Sequence, residues 1–235
     1  MRQYGQFCPL AKALDVVGDR WTLLIVRELS ERPCRYTDLR DGLPGIATNL
    51  LADRLKSLEA AGVITAEAAP PPVATTLYRL TPRGEALLPA LHELVTWGAP
   101  LLADADETDE VRSRWFVQAA RAMFADVDVS DADLLEVALD IDEEPITLSL
   151  QDGQLHAELG TAPHPDVRIA CDGPTAAAIL RGQLHLDAAT RQDRAQINGT
   201  RTARARLARL IDAGRNLRAR LAPTGSHQDT RRRST

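Results

Sequence analysis

Apolar residues in the first third of the chain recur at helical spacing, in short runs separated by turn residues. Leu10, Ala13, Leu14 and Val17 share one face of a helix that Gly18 ends. Asp19 is placed to cap the next helix, which turns Trp21, Leu24, Ile25 and Leu29 inward. Ser30 to Pro33 breaks it. Thr37 is placed to cap a third helix carrying Leu39 and Leu43, and Gly42, Pro44 and Gly45 make a turn. Ile46 to Ala61 is the fourth run. Leu51, Leu55 and Leu58 recur at i, i+4 and i+7 with Leu50 alongside, while Thr48, Asn49, Ala52, Asp53 and Lys56 fall on the other side. Gly62 closes it as the first residue past the cap.

The period then changes. Val63 to Glu67 and Thr75 to Leu80 read as two strands, joined across a tip stiffened by Pro70, Pro71 and Pro72. Thr81-Pro82 starts a further helix, by a hydroxyl cap and a proline at the first helical position. That helix runs through Ala86, Leu87, Leu91, Leu94, Val95 and Trp97 to Leu102 and is too apolar to stand alone on a surface. It buries its stripe either against another subunit or against its own chain. Helices, a turn, a helix and a two-stranded wing form an arrangement that places one helix in the major groove of DNA.

Beyond the acidic link from Ala103 to Asp109 the pattern changes again. A helix over Glu110 to Asp126 is followed by alternating strands at Leu134–Ile141, Pro145–Leu150 and Gln154–Leu159, the last two joined by an Asp152-Gly153 turn. Val167–Ala170 and Arg194–Ile197 add two strands; Pro174–Leu180 and Thr200–Ala213 add two helices. The expectation is an α+β chain: a winged helix-turn-helix domain at 1–103, an antiparallel sheet with helices on one face at 109–221, and a disordered tail at 222–235.

Composition narrows the classes. No run of 18 apolar residues exists, so no membrane partner is expected. The start, MRQYGQFCPL, has no secretory pattern, and Cys8, Cys34 and Cys171 form neither a disulfide framework nor a zinc pattern; a cytoplasmic setting follows. No metal or other cofactor is expected, and no nucleophile elbow, phosphate-cradling loop or paired-histidine motif suggests an enzyme. The net charge of −5 is unevenly laid out. Residues 104–144 carry fourteen acids against Arg112, Arg114 and Arg121, whereas residues 191–220 carry nine arginines against Asp193 and Asp212. The basic stretch is either a nucleic-acid surface or a solvated helix face.

Groove readout needs short or forked polar side chains near the start of the recognition helix. Thr48 and Asn49 are placed for bases; Arg54 and Lys56, with Arg35 and Arg40 nearby, are placed for phosphates. Arg54 has a second option, an ion pair with Glu59 or another neighbouring acid.

Three blocks in order, CPLAKALDVVGDRWTLLIVREL, YTDLRDGLPGIATNLLADRLKSLEAAGVI and LYRLTPRGEALLPAL, resemble the HxlR family of winged regulators over about residues 8–102. The resemblance implies double-stranded DNA as partner and a homodimer formed through the terminal helices of the winged domain. The chain departs from the family where a member often carries Arg and it has Ala66, beside Glu67; its wing has no Lys or Arg before Arg79. The resemblance also makes Cys8 a candidate redox thiol, the alternative being a small apolar anchor. The block PDVRIACDGPTAAAILRGQLHLDAATRQDRAQINGTRTARARLARLI is similar to the end of sterol-carrier-protein-like domains, which implies a small hydrophobic ligand over roughly 110–221. Trp115, Phe116 and Met123 either line such a cavity or form ordinary core.

These readings converge on a DNA-binding transcriptional regulator whose C-terminal domain senses a hydrophobic ligand. Two rivals stand beside it: a thiol switch at Cys8, and a carrier or sequestering protein that keeps its winged half for dimerisation.

Overall fold

The computed structural model describes residues 3–69, 75–106, 109–124, 135–142, 144–151 and 154–221, the side chains of 103, 104, 123, 151, 154 and 215–221 excepted. The chain forms two compact units, divided between Leu91 and His92. Pro70–Pro72, the Asp152-Gly153 turn and the tail 222–235 lie outside the described residues, as does the side chain of Met123.

The first unit contains α1 (Pro9–Val17), α2 (Thr22–Glu31), β1 (Cys34–Arg35), α3 (Tyr36–Asp41), α4 (Thr48–Ala60), β2 (Ile64–Ala68), β3 (Thr76–Leu80) and α5 (Pro82–Glu85). Its core joins Ile25, Val26, Leu29, Leu39, Leu43, Leu51, Leu55, Leu58, Val63 and Ile64. Each such side chain contributes about 1.5–3 kcal/mol by leaving water. The recognition helix α4 begins at Thr48, two residues later than its pattern suggests, because Ile46 is buried in the preceding turn. Its end is a Schellman arrangement: Gly62 takes φ +67°, its N–H donates to the Glu59 carbonyl, and the Val63 N–H donates to that of Leu58.

Three expectations fail in this unit. Asp19 does not cap α2, which starts at Thr22 behind Trp21 in a left-handed conformation (φ 79°). Leu24 is 39% exposed, and the inward positions are Thr22, Ile25, Val26, Glu28 and Leu29. Thr37 lies inside α3, whose start is held instead by the Arg35 N–H donating to the Asp38 carboxylate at 2.8 Å. The wing gains a third strand, since β1 pairs antiparallel with β3 through Cys34↔Tyr78 and Arg35↔Leu77.

The apolar run after the wing is not one helix. It divides into α5, α6 (Leu88–Gly98) and a 3-10 turn at Ala99–Asp104. Pro89 has no N–H to give to the carbonyl of Glu85, so the helix restarts, and Pro100 tightens the following turn. Part of the expected link is thus structured.

The second unit adds α7 (Trp115–Phe124), β4 (Glu136–Ile141), β5 (Glu144–Gln151), β6 (Gln154–Leu159), β7 (Val167–Cys171), α8 (Gly173–Leu180), α9 (Leu186–Arg191), β8 (Ala195–Gly199) and α10 (Arg201–Leu221). The sheet order is β6-β5-β4-β7-β8. Val137, Ile141, Ile146, Leu148, Leu150, Ala157, Val167 and Ile169 share one face and pack with Val117 of α7, Ala176 of α8 and Ala203, Leu207 and Leu210 of α10. Helices therefore cover one face, as the alternation predicts.

The antiparallel expectation is corrected at one pair: β4 and β7 run parallel, Val137 opposite Val167. Parallel neighbours normally need a crossover of a dozen residues or more. Here the connection is β5 and β6 followed by residues 160–166, a link containing Pro163 and Pro165 with no helix or strand of its own. Thr147 donates to the Gly160 carbonyl and the Asp166 N–H donates to that of Glu136, which fixes both ends of the link. A seven-residue link gave no crossover signal in the sequence.

Candidate nucleic-acid interface

The polar edge of α4 points away from its buried stripe. Thr48, Asn49, Asp53 and Lys56 are exposed, while Leu51, Leu55 and Leu58 are 0–3% exposed. The first turn is anchored from outside the helix: the Tyr36 hydroxyl donates to the Thr48 carbonyl at 2.7 Å. Tyr36 opens α3, so this bond ties α3 to the start of α4. Asn49 turns its Oδ1 towards the Leu50 N–H, at 2.9 Å.

The cations around this edge are largely engaged by neighbouring acids. Arg54 lies on the flank of α4 and meets Asp19 at 2.5 Å, so the second option read from sequence describes its ground state, with Asp19 rather than Glu59 as the acid. Arg40 is paired with Asp41 at 3.0 Å. On the wing, Arg79 is paired with Glu67 at 2.5 Å. Arg35 is exposed at the junction of β1 and α3. Lys56 is exposed too, but shares the outer face of α4 with Asp53 one turn earlier.

Sequence reasoning missed Asp19, Tyr36 and Glu28 as organisers. Glu28 is 3% exposed and holds Arg27 through Oε1 at 2.7 Å. The signal was present, since position 28 falls on the inward stripe of α2, but a carboxylate there was not legible as core. A groove of about 640 Å³ runs past the Arg54–Asp19 pair, lined also by Tyr4, Leu14, Asp15 and Ser57. The Tyr4 N–H donates to Asp15 at 2.9 Å and lays the N-terminal arm beside α1.

The cysteines occupy three environments. Cys8 is partly exposed just ahead of α1. Cys34 is buried in β1 with its thiol directed at the Glu28 and Arg32 carbonyls. Cys171 closes β7, and burial pushes its thiol up to about 11, with Asp172 and Asp142 adding to the shift.

In the second unit Phe116 packs against the core and Trp115 is half-buried. The Asp172 carboxylate caps α8 by accepting from the Thr175 N–H at 2.7 Å. Hydrogen bonding by Thr175, through its side chain first and its backbone second, lowers the Asp172 carboxyl from its ordinary value. Among the described residues no helix is long and apolar enough to cross a membrane.

The first unit has the architecture of a winged helix-turn-helix domain: an exposed polar edge on α4, backed by α2 and α3 and followed by a three-stranded wing. Residues 16–106 match the HxlR-like helix-turn-helix family. The chain is 36% identical over 94 residues to an uncharacterised HTH-type transcriptional regulator, YvaP, of Bacillus subtilis, covering 40% of this chain and 87% of that protein. It is 36% identical over 93 residues to a second such regulator from Synechocystis, covering 38% and 69%. It is 30% identical over 104 residues to the HTH-type transcriptional regulator YodB of B. subtilis, covering 44% and 93%. The chain belongs to the HxlR-like helix-turn-helix family.

Proposed function

We propose that this regulator reads operator DNA as a homodimer, through the outer edge of α4. Thr48 and Asn49 meet base edges, and Lys56, Arg35 and Arg40 meet phosphates. The observation that carries this reading is the division of α4 into a fully buried leucine stripe and an exposed polar edge beginning in its first turn. Thr can touch a thymine methyl and Asn can pair with adenine. The dimer is supported by apolar side chains left uncovered on two helices: Leu10 on α1, and Leu94 and Trp97 on α6, are 67%, 49% and 74% exposed.

The test is selection of bound duplexes from a random pool, followed by Thr48→Ala/Asn49→Ala. The double variant is expected to lose sequence preference while retaining its fold. Unchanged preference would overturn the assignment.

The second unit's part is to take a small hydrophobic ligand and pass its occupancy to DNA affinity. Support comes from the likeness of its final strands and helices to sterol-carrier-protein-like domains, and from the apolar slab between sheet and helices. Titrating the selected duplex with and without a panel of lipophilic compounds tests this. Affinity unmoved across the panel would remove the sensing role. A thiol switch is the second reading. It is supported by Cys8 standing partly open to solvent while Cys34 is buried, and an oxidant response that survives Cys8→Ser would end it.

A further inference from the structure

Three arginines of the reading head are paired with acids, leaving Arg35 and Lys56 exposed beside them, and a second group of free cations lies elsewhere. Arg40, Arg54 and Arg79 each meet an acid, and Asp53 shares the outer face of α4 with Lys56. On α10 the arrangement is reversed. Ala203, Leu207 and Leu210 hold that helix to the second unit's core. The opposite side carries Arg201, Arg204 and Arg209, all exposed, with the exposed Asp212 one turn past Arg209; among the described residues none of the three arginines has an ion pair or a side-chain hydrogen bond.

We propose that this face of α10 binds the phosphate backbone of duplex DNA without regard to sequence. The proposal rests on the DNA-binding reading of the winged unit and adds electrostatic affinity to that of Arg35 and Lys56, where Arg40, Arg54 and Arg79 are held by acids. Arg201 and Arg209 are separated by eight residues, about 12 Å of helix axis. A duplex presents one negative charge per roughly 1.7 Å. Guanidinium forks match phosphate oxygens two at a time, which suits a broad arginine face to the phosphates of a duplex. An anionic lipid surface is a poorer fit. The same side of α10 carries Ala205 and Ala208 between the arginines, and none of the large apolar side chains that a membrane-surface helix inserts.

The test uses the full chain and a fluorescent duplex of scrambled sequence, about 40 base pairs long, titrated from about 50 to about 200 mM salt. Losing three phosphate contacts in Arg201→Ala/Arg204→Ala/Arg209→Ala should make the slope of log K against log salt shallower by about 2.7. Over that fourfold range the wild type then loses roughly 40-fold more affinity than the variant. A triple Arg→Lys variant should keep most of the slope, which separates charge from any effect on folding. An unchanged slope in the alanine variant overturns the proposal. So does tighter binding to phosphatidylserine vesicles than to the duplex, or arginine-dependent self-association in the absence of DNA. The two readings fail separately. Thr48→Ala/Asn49→Ala should abolish sequence preference and leave this slope in place; preference retained there counts against the α4 assignment alone.

Discussion

Arg54 of the recognition helix is held by Asp19, which lies between α1 and α2, at 2.5 Å. The pair ties the flank of α4 to the segment before α2 and withdraws one cation from the DNA-facing edge. Arg54 is 21% exposed and Asp19 47%, so solvent screens the attraction. Its contribution to folding is about 1 kcal/mol or less.

Asp19→Ala therefore has an unusual expected outcome. Unfolding in urea should show a loss within that bound. The freed guanidinium becomes available to phosphate, and the salt slope of duplex binding should steepen by up to about 0.9. A slope that stays flat or becomes shallower would mean that Arg54 serves as a brace alone.

What the sequence made visible and what it hid follow from the range of the interactions. The recognition helix was legible because Leu51, Leu55 and Leu58 mark one face, and because Gly62 adopts the positive φ that a helix end of this kind requires. The start at Thr81-Pro82 was legible for the same local reason: the Thr81 hydroxyl accepts from the Gly84 N–H at 3.2 Å. Asp19 and Arg54 are 35 positions apart, and nothing in either neighbourhood marks them as partners. A two-residue strand such as β1 has no period to read, so the burial of Cys34 could not be seen. The parallel β4–β7 pair depends on the path of residues 160–166, which propensity does not encode.

Gly84 makes a closer contact than any side chain would permit. A Cβ built there would lie 2.1 Å from the Val63 carbonyl oxygen, where α5 rests on the strand that follows the recognition helix. The Thr81 hydroxyl fixes the same junction by donating to the Gly62 carbonyl at 2.6 Å. Gly84→Ala must push α5 away from Val63, and overpacking of that kind costs about 1–3 kcal/mol. Urea unfolding followed by far-ultraviolet circular dichroism should show the loss. A neutral result would mean that the junction yields more easily than its contacts indicate.

Leu10 and Trp97 are predicted to act on association rather than on stability. Both are largely exposed, so removing them opens no cavity. Leu58, 1% exposed on α4, is the contrast: Leu58→Ala should cost about 2–5 kcal/mol of unfolding free energy. Leu10→Ala/Trp97→Ala should change that quantity by less than about 0.5 kcal/mol when measured on the monomer. It should weaken the dimer in sedimentation equilibrium by at least about tenfold, the equivalent of roughly 1.4 kcal/mol. A dimer of unaltered strength would exclude these two side chains from its interface.

Cys171 gives the second unit an alkaline limit. Its thiol is raised from 9.0 to about 11, mainly by burial and secondarily by Asp172 and Asp142. A raised pKa means that the folded state favours the protonated thiol. Its contribution is therefore complete below pH 9, the unfolded value, and is lost as pH rises towards 11, the folded one. The thiol is only partly buried, so solvent screening keeps the loss across the window below the roughly 2–3 kcal/mol that a shift of that size would carry in full. Tyrosines and lysines titrate in the same range, so the informative quantity is the difference between wild type and Cys171→Ala. The variant should lose less stability between pH 9 and 11 than the wild type, and at neutral pH the wild-type thiol should react with iodoacetamide more slowly than Cys8. Parallel pH–stability curves for the two proteins would show that the thiol ionises without penalty, and that β7 does not shield it.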